Sequence, residues 1–164
     1  MSRIVQILSL FFCIQILAVF WVYNKKDSVA KYVKKDYLLS LKPDSIDKIS
    51  LVDDEKNSVN LVKNNNSWIA PEKENFLIVK SKVDQFIKQI LALKRSRYVG
   101  KTQISAKQFA VTEEKFERKI EFFSKNQKIA RIYFGTSPSF RKVHVKLEEE
   151  DLTYTVSYNI NDVD

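Results

Sequence analysis

The sequence predicts an α+β domain, an antiparallel β-meander packed with one main amphipathic helix, carried behind one N-terminal transmembrane helix. Three observations lead there: an uncharged apolar run over residues 4–23, one stretch with apolar residues at helical spacing, and a succession of short stretches in which apolar and polar residues alternate. A chain of 164 residues has room for one ordinary domain once such an anchor is set aside. With 45% hydrophobic and 29% charged residues it buries a core and is not a disordered tail. Its 2 glycines and 3 prolines exclude collagen-like and Pro-rich chains, together with any phosphate loop that needs several glycines.

The organisation reads as a short tail at residues 1–3, an anchor at 4–23, a basic linker at 24–37, the α+β domain at 38–160 and a tail at 161–164. The anchor, IVQILSLFFCIQILAVFWVY, has no charge, proline or glycine, and as a helix it is about 30 Å long, matching a bilayer core. Ile4, Leu8, Phe12, Leu17 and Trp21 mark the span, with Trp21 and Tyr23 at the interface and Lys25 and Lys26 closing it. A cleaved signal peptide is the rival, because Ser28-Val29-Ala30 resembles a processing site, but the run exceeds a signal core and Ala30 lies well past its end. The single cysteine, Cys13, sits inside this run, and bulky Phe12 before it does not fit a lipoprotein processing site. Lysines after the span favour a cytoplasmic domain by the positive-inside rule.

Within the domain, Ile49 and Leu51, then Val59 and Leu61, alternate around DDEKN and predict a hairpin, and Asn64, Asn65 and Asn66 turn the chain into a third strand at residues 67–70. Ser81 and Asp84 give an S-x-x-D capping signal, behind which Val83, Phe86, Ile87, Ile90 and Leu91 form the buried face of the main helix. Residues 95–99 read as a strand and 105–111 as a short helix or turn. Four further alternating stretches follow: Phe116, Ile120 and Phe122; Ala130, Ile132 and Phe134; Val143, Val145 and Leu147; Leu152, Tyr154, Val156 and Tyr158. Their short connections predict antiparallel neighbours, with the helix covering one face.

No residue pattern points to catalysis, to a cofactor or to a metal. His144, the one histidine, falls between inward Val143 and Val145 and is expected on the exposed strand face. Glu148, Glu149, Glu150 and Asp151 read as a solvated hairpin tip, and Trp68 as core. Lys94, Arg95, Arg97 and Lys101 form the densest basic cluster of the domain, a surface for a partner or anion. The net charge of +8 allows anionic lipid, nucleic acid or an acidic partner. Nucleic acid is the weaker option, because the aromatic residues alternate inward and do not interleave with the exposed cations.

The order of these motifs, from Ile46, Ile49 and Leu51 through the strand of Trp68, SKVDQFIKQILALK, RSRYVGK, ISAKQFAV and IYFGTSPSFRKVHVKL to LTYTV, resembles the family designated domain of unknown function 4340. The resemblance implies a bacterial protein anchored in the inner membrane by a single pass, with its domain on the external side, encoded beside ABC transporters of the gliding-motility type. It implies membrane lipid and ABC-transporter subunits as partners, a non-enzymatic accessory or scaffold role, and no cofactor. A membrane-tethered module that binds nucleic acid or anionic lipid is the alternative. One departure stands out: where the family has a Tyr-Gly-Leu turn followed by proline, this chain has Phe109-Ala110-Val111 and Thr112, so the turn is expected to be built differently.

Overall fold

The structure, a computed structural model, describes residues 5–6, 11–17 and 37–158. The chain divides into two units, Met1–Lys34 and Lys35–Asp164. In the first, residues 5–6 and 11–17 are helical, and Phe12 and Leu17 are exposed. No helix among the described residues is long and apolar enough to cross a membrane. The expected span lies mostly outside them, as do Ile4, Leu8 and Trp21, the tails, and all of the expected linker except Tyr37.

The second unit is built on one antiparallel sheet. Its strands are β1 (Lys48–Asp53), β2 (Ser58–Asn64), β3 (Ser67–Ala70), β4 (Phe76–Ile78), β5 (Tyr98–Gly100), β6 (Arg118–Ser124), β7 (Gln127–Phe134), β8 (Lys142–Leu147) and β9 (Thr153–Ser157). They lie in the order β4-β3-β2-β1-β6-β7-β8-β9-β5, so β4 and β5 form the two edges. Two helices accompany the sheet, α1 (Lys80–Leu91) and α2 (Gln103–Gln108).

Register follows from the apolar alternation. Ile49 pairs with Leu61 and Phe122, Ile120 with Ile132, Phe134 with Val145, and Val145 with Tyr154, which sets all of them on one face. Val83, Ile87 and Ile90 of α1 complete that core together with Trp68, Leu38 and Ile46. Tight turns between strands need left-handed backbone, yet neither glycine supplies it: Lys56, Asn65, Lys125, Asn126 and Arg141 all have positive φ. Asparagine tolerates this geometry, whereas lysine and arginine hold it at a steric cost.

Four expectations need correction. Ser81 does not cap α1: the helix begins one residue earlier, its N-cap is Val79, and no side chain caps it. Phe86 is only half-buried, because the inward stripe runs through Val83, Ile87 and Ile90. Phe116 leaves the face shared by Ile120 and Phe122, for it lies before β6 and packs with Val111, Ala106 and Tyr133 in a second cluster. That cluster belongs to a layer on the opposite face of the sheet, made by α2 and the loop behind it. Finally, the turn at Ala110 keeps the left-handed geometry that glycine would favour, with φ 54. The short edge strand β4 also had no expectation attached to it, since Phe76, Leu77 and Ile78 are consecutive and apolar without alternation.

In a fragment spanning Lys35–Asp164, Ile87→Ala is expected to cost about 2–5 kcal/mol and Phe86→Ala clearly less, because only the former empties a fully buried site. Urea titration of both variants checks the ranking; equal losses would mean that α1 is rotated from the position described.

Candidate interaction surface

The four residues of the predicted basic cluster sit along the β5 edge, and the structure separates their roles. β5 pairs with β9 on one side, Tyr98 opposite Tyr154 and Gly100 opposite Thr153, and it is the last strand of the sheet. It is placed by Ser96 Oγ, which donates to Thr155 O at 2.5 Å, and by α2, which starts two residues after Lys101. A capping box fixes that start, with Thr102 Oγ1 accepting from Ser105 N at 3.1 Å and Thr102 N donating to Ser105 Oγ at 3.0 Å.

Arg95 turns inward. Its guanidinium forms a two-pronged ion pair with Glu150, lies 5.4 Å from the Tyr154 ring centroid and reaches Leu38 O at 3.4 Å. Burial opposes its charge, but Glu150 outweighs that effect and holds the Arg95 pKa above its usual value. Tyr154, which donates to Glu150 at 3.0 Å, is raised by burial and by the same carboxylate. Arg95 therefore stabilises the start of the domain and does not serve as an open anion contact. Lys94 lies 5.9 Å from the Tyr37 ring centroid, and its backbone bridges Tyr37. Arg97 and Lys101 remain exposed on either side of exposed Tyr98 and Val99. Among the described residues the edge offers a short row of backbone groups with no partner strand, with Tyr98 and Val99 exposed and cations on either side.

Beside Arg95 a cleft of about 240 Å³ runs between residues 38–41 and the turn after β8, bounded by Arg131, Glu148 and Glu150. Arg131 is the centre of a second network: Glu121 at 2.5 Å, Glu148 at 2.6 Å, Glu113 at 3.1 Å and Tyr133 Oη at 3.2 Å. Lys119 joins Glu113 at 2.9 Å, and Lys128 joins Glu148 at 2.6 Å. Burial opposes the Arg131 charge, yet bonds to Tyr133 and Glu121 hold its pKa above the usual value. Tyr133 is pushed up to about 12 by burial, with Glu113 adding to the effect. The arginines lining this cleft are thus matched by carboxylates within the domain. Sequence reasoning missed the network because the carboxylates that Arg131 and Tyr133 meet are 10 to 20 residues away along the chain. The signal that could have found it is the hairpin register, which sets Glu121 opposite Arg131 on the non-core face.

His144 is a further correction. It is only 7% exposed, its ring lies 4.3 Å from that of Phe109, and Nδ1 is 3.0 Å from Thr136 Oγ1. Alternation placed it correctly on the non-core face, but the α2 layer covers that face. Tyr133, Lys146 and Thr153 are buried with it. The acidic tip is likewise more than a solvated turn, since Glu148 and Glu150 hold Arg131 and Arg95. Among the described residues no group of three His, Cys, Asp or Glu side chains could hold a metal ion.

Burial pushes the His144 pKa below 6.5, and its contact with Thr136 opposes this only in part. As pH falls through the unfolded value, the unfolded chain takes up the proton first, so stability is full above it and declines below it. Unfolding free energies from urea titration between pH 7.5 and 5 are expected to fall more steeply for the native sequence than for His144→Gln, the excess slope being at most about 1.4 kcal/mol per pH unit. Parallel profiles would mean that the imidazole is solvated.

No curated protein and no solved structure matches the chain. The sequence pattern of one family does, over residues 68–164, from the strand of Trp68 through α1, the β5 edge and the α2 layer to the end. The chain therefore belongs to the family of the domain of unknown function 4340.

Proposed function

We propose that this chain is a non-enzymatic accessory or scaffold subunit of an envelope complex in a bacterial inner membrane, in the first place an ABC transporter of the gliding-motility type. A single span over residues 4–23 anchors it, and the domain stands on the external side. The observation that carries this reading is the form of the β5 edge: among the described residues, a strand with no partner on its outer side, with Tyr98 and Val99 exposed between Arg97 and Lys101. Such an edge receives an extended segment of another protein by backbone pairing, with its cations favouring acidic residues on the incoming strand. Family membership and the apolar N-terminal run support the setting.

The external position rests on the family resemblance and stands against the lysines that follow the apolar run, which the positive-inside rule would hold in the cytoplasm. A domain of this length then crosses despite the flanking lysines.

Two fusions after Asp164 test the reading, one to a reporter active only outside the cytoplasm and one to a reporter active only inside. Activity of the outside reporter is expected. In the same cells Arg97→Glu with Lys101→Glu is expected to reduce recovery of transporter subunits with the detergent-extracted chain several-fold, while leaving its unfolding midpoint unchanged. Activity of the inside reporter alone would overturn the external placement and favour the alternative, a tethered module for nucleic acid or anionic lipid.

A further inference from the structure

At the opposite end of the sheet from β5, a cleft of about 200 Å³ opens between the 3-10 turn Pro43–Ser45, the end of β2, β3 and the exposed flank of α1. Trp68 lines it. The indole is only 2% exposed, and its Nε1–H is buried without a hydrogen-bond partner. A buried donor left unpaired costs more than a made hydrogen bond returns, so an orphaned indole N–H beside a cleft marks a place where an acceptor is missing.

Three further features favour a negatively charged acceptor. Lys63 and Lys88 line the cleft and have no ion pair among the described residues, while Lys80 is occupied by Asn66 Oδ1 at 2.8 Å. Lys80, the first residue of α1, lines the cleft, and that helix starts with no side-chain cap and no acidic residue in its first turn. Asp44 and Asp84 on the rim leave the lining, three lysines against two aspartates, with one net positive charge. That balance favours an anionic group in the cleft.

We propose that this cleft binds the oxyanion group of a small ligand, a carboxylate or a phosphate, with Lys63 and Lys88 supplying the charge and the Trp68 indole N–H the directional donor. The site is separate from the β5 edge, and the two can fail independently.

The test uses the full chain in detergent micelles, where Trp21 and Trp68 give two indole N–H signals in a proton–nitrogen spectrum and Trp21→Phe assigns them. Sodium acetate and inorganic phosphate are titrated in turn against sodium chloride of matched ionic strength. A saturable shift of the Trp68 signal with acetate, phosphate or both is expected, and whichever probe saturates identifies the group. Lys63→Ala with Lys88→Ala should raise the half-saturating concentration about tenfold or more, and Asp84→Asn should lower it. Lys88 is exposed and Lys63 half-buried, and an unchanged urea midpoint of the double variant checks that the fold and the Trp68 probe stay in place. A drift that chloride reproduces, or a saturable shift that the lysine variant leaves unchanged, would overturn the proposal.

Discussion

Gly135 lies so close to the backbone of the Phe109–Ala110 turn that a Cβ placed on it would sit 2.0 Å from Phe109 O and 2.5 Å from Ala110 O. Only a residue without a side chain lets the end of β7 and that turn meet. Thr136 N donates to Phe109 O at 2.9 Å and joins the two pieces, while Gly135 N to His144 O at 2.9 Å and His144 N to Thr136 O at 3.0 Å tie the same segment to β8. The turn pays for the approach with a left-handed Ala110, whose carbon skeleton prefers the right-handed region. Through this crossing the α2 layer closes over the second face of the sheet. Phe109 reaches the His144 ring, Val111 and Phe116 pack with Tyr133, and polar strand residues that would otherwise meet water are enclosed.

The β5 edge depends on the same layer. α2 follows β5 directly, its Ser105 side chain lies against Gly100, and Phe109 at its end stands over the same glycine. On the other side of β5, Arg95 is drawn into Glu150 and Tyr154. Between these two attachments the strand is held with Arg97, Tyr98, Val99 and Lys101 outward. Charge alone did not produce this surface: of the four clustered cations, geometry removes Arg95 and leaves the others.

How much of this was legible in the sequence depended on distance along the chain. Local alternation placed the hairpin of Ile49 and Val59, the meander of β6 to β9 and the stripe of α1, because each pattern is written within a dozen residues. The second layer was not legible. α2 is six residues long, too short for a helical stripe, and its contacts to β7 and β8 link residues separated by more than twenty positions. The expectation that His144 is exposed followed from that gap, since alternation tells which face a side chain occupies and not what covers that face. The candidate edge was found as a basic cluster, but the loss of Arg95 to Glu150 rests on a pairing 55 residues apart. Trp68 was read as core correctly, while the unpaired state of its N–H is a property of the packed structure alone.

The most direct test of this account is Gly135→Ala, measured in the Lys35–Asp164 unit by urea unfolding together with hydrogen exchange at the Val111 and Thr136 amides. The backbone contact leaves the new methyl no flexible neighbour to displace, so a loss of about 2–3 kcal/mol and faster exchange at both amides are predicted. A variant within a few tenths of a kcal/mol of the native sequence, with exchange at those amides unchanged, would contradict the claim that this crossing holds the second layer on the sheet.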